Sequence, residues 1–90
     1  MITKPFVFSG KELTINYATS AAGTVLVEIQ DEAGQPIPRY SLADCPEIFG
    51  DHIERVVSWN DGTDVSTLAG RSVRLRFVLQ DADLYSIQFR

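Results

Sequence analysis

Apolar side chains in this 90-residue chain recur at every second position, the spacing of strands with one face in a core and the other in water. Leu13, Ile15 and Tyr17 alternate with Thr14, Asn16 and Ala18, and Val25, Val27 and Ile29 alternate with Leu26, Glu28 and Gln30. Val73, Leu75, Phe77 and Leu79 form the clearest run, against Arg74, Arg76, Val78 and Gln80. Tyr85, Ile87 and Phe89 follow against Ser86, Gln88 and Arg90. His52 to Trp59 is predicted to turn Ile53, Val57 and Trp59 inward, with Arg55 on the same side near an end or edge. Phe77, midway along the longest alternating run, is predicted to be central to the core.

Turn chemistry punctuates these runs. Asp31-Glu32-Ala33-Gly34 suits a type I turn closed by a left-handed glycine, after which Gln35 to Tyr40 returns as an irregular edge segment. Pro36 and Pro38 cannot donate to a ladder and so belong at an edge. Ser41 to Gly50 lacks alternation and is predicted to be a long crossing loop, where Ser41 or Asp44 could cap a single helical turn stopped by Pro46. Cys45, the only cysteine, is predicted to be a buried, reduced thiol packed with Leu42 and Ile48. Asn60-Asp61-Gly62 marks a turn, Asp64 to Gly70 a one-turn helix, and Asp81-Ala82-Asp83 another turn.

Short strands separated by turn signals, without a long helix or internal repeat, predict one all-β domain over residues 1–90. Its architecture is expected to be an antiparallel β-sandwich of seven or eight short strands, jelly-roll-like or immunoglobulin-like. The 8 Lys and Arg against 12 Asp and Glu give a net charge of −4, which repels phosphate backbones and speaks against nucleic acid as a partner. Apolar runs fall far short of the ~18 residues of a membrane-spanning helix. Both chain ends read as the cut edges of a domain taken from a longer polypeptide.

The segments Phe8-Ser9-Gly10-Lys11-Glu12-Leu13-Thr14-Ile15-Asn16, Val27-Glu28-Ile29-Gln30-Asp31 with Gly34, Ser41-Leu42-Ala43-Asp44-Cys45, Gly50-Asp51 and Trp59, Leu68-Ala69-Gly70-Arg71-Ser72-Val73-Arg74-Leu75-Arg76-Phe77, and Ala82-Asp83-Leu84-Tyr85-Ser86 carry a resemblance. In that order, over nearly the whole chain, they resemble a C-terminal β-sandwich accessory module. Modules of this family follow larger domains, often five-bladed propellers similar to glycoside hydrolases, in exported proteins of environmental bacteria. The resemblance implies a non-catalytic accessory module of a carbohydrate-active protein, with the catalytic domain of the parent chain as a partner and an exported location. It assigns no catalytic residue and no ligand contact.

The residues themselves leave two roles open: carbohydrate binding, or structural packing against a neighbouring catalytic domain. An enzyme is not expected, because the single histidine, His52, lies in no recognised nucleophile motif and the carboxylates read as turn, cap and solvated-strand residues. No cofactor or metal is expected either. Asp61 with Asp64, and Asp81 with Asp83, are spaced to converge on calcium, but aspartate also favours turns through its own backbone hydrogen bonds. Sugar recognition calls for an aromatic face beside planar polar groups. Trp59 and Tyr85 are predicted to be core or core-edge residues, leaving Tyr40 as the stacking candidate. Arg74 and Arg76 project from one strand face, where Gln88 and Arg90 could join them in a basic strip for an anionic sugar or a carboxylate of the parent's neighbouring domain. The alternative is a solvated face balanced by acids such as Glu28.

Overall fold

The computed structural model describes the backbone of all 90 residues and every side chain except those of His52 and Ile53. The inward Ile53 and surface His52 of the sequence reading therefore lie outside the described side chains. Strands β1 (Phe6–Val7), β2 (Leu13–Asp31), β3 (Asp51–Val56) and β4 (Ser72–Phe89) form one antiparallel sheet in the order β1-β4-β2-β3. Single 3-10 turns at Leu42–Asp44 and Ser66–Leu68 are the only helical elements among the described residues. The all-β, antiparallel character follows the period-two pattern. The strand count is four rather than seven or eight: two pairs of runs that alternation treats as separate strands continue into one another, and the edge segment of residues 35–40 forms only an isolated bridge.

The junctions bend without breaking. A straight strand of 19 residues would extend ~63 Å at about 3.3 Å per residue, whereas the molecule's longest dimension is 36 Å. β2 and β4 pair from Leu13↔Phe89 to Asp31↔Val73, with register shifts between Asn16 and Tyr17 and between Thr19 and Thr24. At the second shift, five steps along β2 oppose two along β4, and such unequal spacing folds a ribbon over. Gly23 makes the fold tight: a Cβ there would run into the carbonyl of Asp81, which itself has a left-handed φ of 49°. Asp81-Ala82-Asp83 thus marks a bend inside β4 and not a strand end. At the first shift Asn16 pairs with Ser86 and Tyr17 with Leu84, which leaves Tyr85 unmatched in a bulge and 63% exposed. That corrects its expected core-edge position.

The bend brings both arms of the ribbon onto one core. Leu13, Ile15 and Tyr17 join Val25, Val27, Ile29, Val73, Leu75 and Phe77, with Phe8, Ile48, Val57, Trp59, Val65 and Leu68 filling in from the loops. The remaining turns follow their sequence signals. Gly34, at φ 88°, closes the turn after β2, and its N–H donates to the Asp31 carbonyl. Ile37 then returns to Ile29 at the sheet edge, flanked by the two prolines.

Along this edge Val25 exchanges hydrogen bonds with Ile48, and Ile29 bonds Ile37 and Tyr40. Val27, between them, has side chains for partners. Trp59 Nε1 donates to its carbonyl at 3.0 Å, and its N–H donates to the buried Cys45 sulfur.

Phe77→Ala, at a side chain 1% exposed, should cost ~3–5 kcal/mol in chemical denaturation, and Gly23→Ala about 1–3 kcal/mol. Burial pushes the Cys45 thiol above its ordinary 9.0 and the Tyr17 phenol above 10.0. Both folded values are raised, so the associated stability is complete at lower pH and is lost as the unfolded chain ionises first. Denaturation midpoints should hold steady up to about pH 9 and fall above it, with a smaller fall in Cys45→Ala. A steady midpoint through pH 11, or rapid labelling of the native thiol, would contradict the buried placement.

Candidate functional site

The edge segment after the Gly34 turn and the loop after β3 meet beside the outer edge of β2. Tyr40 is fixed three ways. Its carbonyl accepts from the Ile29 N–H at 2.9 Å, its hydroxyl donates to the Asp64 carbonyl at 2.9 Å, and its ring meets Trp59 edge to face at a centroid distance of 5.3 Å. Trp59 is held in turn by its bond to Val27 and by a tight turn in which Trp59 and Gly62 exchange backbone hydrogen bonds. That turn carries Asp61 outward, where its carboxylate lies 3.6 Å from the Arg39 guanidinium. The Asp64 carboxylate accepts at 2.8 Å from the N–H of Ser66, the first residue of the following 3-10 turn. The Ser66 hydroxyl and N–H together hold the Asp64 carboxyl below the usual carboxylate range.

A cleft of about 220 Å³ is lined by Arg39, Tyr40, Trp59, Asp61, Gly62, Asp64 and Thr67. It combines an aromatic corner with two carboxylates, a guanidinium and a hydroxyl. Arg39 holds a left-handed φ of 78°, a conformation that costs a non-glycine residue about 1–2 kcal/mol. Strain of this kind persists where surrounding structure enforces it, and it is frequent at ligand-contacting positions.

Of the residues singled out in the sequence, Tyr40 lines this cleft and Arg74 and Arg76 do not. Arg74 donates through Nε to the Glu32 carbonyl at 3.0 Å and reaches the Thr3 carbonyl. Arg76 lies 3.8 Å from Glu28, a carboxylate only 3% exposed that also accepts from Gln30 Nε2 and the Leu42 N–H. The residues facing these arginines across the ribbon are Gln30 and Glu28. Gln88 and Arg90 stand at the far end of the same strand, where Arg90 pairs with Glu54. A strip balanced by Glu28 therefore describes this face.

Asp61 and Asp64, first considered as calcium ligands, are engaged by Arg39 and Ser66, and no cluster of three or more metal-ligating side chains occurs among the described residues. Arg39 and Thr67 carry no local signal of a site. Only the long-range approach of residues 39–40 to 59–67 makes them neighbours.

Trp59→Phe keeps an aromatic ring, though a smaller one, but removes the indole N–H and orphans the Val27 carbonyl, and should cost about 1–3 kcal/mol. Arg39→Gly should raise stability by about 0.5–1 kcal/mol, as glycine accepts the left-handed backbone; a loss of stability in thermal denaturation would overturn the strain assignment. Searches of protein-family models, curated proteins and solved structures return no match to this chain, so the chemistry of the cleft carries the functional reading.

Proposed function

We propose that the chain is a non-catalytic accessory module of an exported, carbohydrate-active protein, and that it binds carbohydrate in the Tyr40–Trp59 cleft. The observation that carries this reading is the cleft's composition: an aromatic corner fixed by hydrogen bonds, with carboxylate, guanidinium and hydroxyl groups around it. These are the groups that meet the apolar face and the hydroxyls of a pyranose. The resemblance of the chain's ordered motifs to sandwich modules of sugar-active proteins agrees with it. The all-β, antiparallel sheet curled over one core is compatible with it.

The expected affinity is low. At about 0.3 kcal/mol per non-hydrogen atom, a ring of about a dozen atoms gains ~4 kcal/mol, a Kd on the order of 1 mM. A glycan screen by ligand-observed NMR, followed by titration, tests the reading. Tyr40→Ala should abolish binding of any hit, and Arg74→Ala/Arg76→Ala should leave it unchanged. A module that instead packs on a neighbouring catalytic domain is favoured by the exposure of Met1, Ile2 and Val7 along the N-terminal segment beside β4. Absence of binding to every glycan would select that second role.

A further inference from the structure

We propose that Phe49 is a second sugar-contacting platform, on which one ring of a polysaccharide stacks by its apolar face while another ring of the same chain occupies the Tyr40–Trp59 cleft. The proposal rests on the carbohydrate-binding reading and adds a site to it. Phe49 is 66% exposed, more than any other large apolar side chain among the described residues. The other exposed ones, Met1, Ile2, Val7, Leu79, Tyr85 and Ile87, lie on the N-terminal segment, β1 and β4. Phe49 stands apart from them, just before β3.

The backbone explains why this ring faces water and stays there. Ile48 exchanges hydrogen bonds with Val25 and is buried, so alternation along the extended chain sends the next side chain outward. The Phe49 carbonyl accepts from the hydroxyl of buried Tyr17 at 2.7 Å. Gly50, at φ 93°, donates its N–H to Thr19 Oγ1 at 2.8 Å, and its carbonyl accepts from the Thr19 N–H at 3.1 Å. Turning the ring inward would break these bonds. Phe49 borders an open hollow of about 240 Å³ with Thr19, Ser20, Ala21, Gly50 and Asp51. The Ser20 hydroxyl and the Asp51 carboxylate give that hollow a polar rim, and the ring itself offers only its apolar face. A pyranose presents the matching pair of surfaces, C–H groups on its face and hydroxyls at its edge.

Both platforms sit on chain that covers the outer edge of β2, where Tyr40 bonds Ile29, Ile48 bonds Val25 and Gly50 bonds Thr19. From Ile29 to Val25 the edge runs ~13 Å at about 3.3 Å per residue, and Phe49 lies beyond Ile48. A disaccharide held in the cleft therefore stops short of Phe49, whereas a polymer reaches it. With contact to one ring face only, Phe49 alone binds sugar more weakly than the cleft, and it contributes through the effective concentration that a tethered chain supplies.

The test uses linear α-1,4-glucan, β-1,3-glucan and β-1,4-xylan, each as the polymer, read by affinity electrophoresis, and as its disaccharide, read by NMR titration. Phe49→Ala should weaken binding of the polymer that binds by about three- to tenfold and leave its disaccharide unchanged. Phe49→Trp, which keeps a platform, should hold polymer binding at or above the wild-type level. The thermal midpoint should be the same in all three proteins, since the side chain is exposed. In the wild type, a hexasaccharide of the same linkage should shift the amide signals of Thr19, Ser20 and Gly50, and its disaccharide should not.

Polymer affinity unmoved by Phe49→Ala, or an equal loss for polymer and disaccharide, overturns the second platform while leaving carbohydrate binding in the cleft. Failure of every polymer and disaccharide to bind removes both proposals together.

Discussion

The hydrogen bond from the Trp59 indole to the Val27 carbonyl is the contact on which the arrangement of this edge depends. β2 is a long strand whose outer edge is covered first by β3, then by irregular chain, and irregular chain cannot match every backbone group of a ladder. Val27 is where the match fails. A buried carbonyl and N–H without partners there would cost several kcal/mol together. Trp59 and Cys45 supply them from side chains, so the loops after Tyr40 and after β3 can cross the edge without forming another strand. Because Trp59 is pinned in this way, its ring also serves as a fixed wall for Tyr40, and the cleft inherits the rigidity of the core.

The alternation in the sequence located the core well, since burial of one face is what the pattern encodes. Leu13, Ile15, Val25, Val27, Ile29, Val73, Leu75 and Phe77 all point inward. The same pattern is blind to whether a strand ends or bends. Residues 19–24 interrupt the alternation and residues 81–83 carry turn chemistry, and in the folded chain they make bulges between arms that stay paired, a distinction set by the facing strand. Tyr85 shows the limit most clearly: one unmatched residue displaces it from the face that its parity with Ile87 and Phe89 implied.

The site was legible in part for a similar reason. Tyr40 stood out because it follows an edge segment and opens a loop. Asp61 and Asp64 stood out as a pair, with a different chemistry in view. Arg74 and Arg76 looked available because their partner across the ribbon, Glu28, sits in a run that reads as half solvated, whereas Leu42 and Gln30 close over it and make it a buried counter-charge. Arg74 and Arg76 are used to hold the sheet, and the cation at the cleft is a different one, Arg39, paired with Asp61.

The pairing of β2 with β4 also bears on how this chain can be made. Every ladder contact between them joins the first third of the sequence to its final part, with Asp31 meeting Val73 and Leu13 meeting Phe89. Folding of this kind closes long loops before it gains contacts, and so is slow compared with helical domains of the same size. During synthesis from the amino terminus, β2 emerges as a 19-residue segment with an apolar face, and the edge that pairs with β4 stays bare until residues 73–89 have been made. The nascent chain therefore passes through an interval in which its most aggregation-prone segment is complete and its complement does not yet exist.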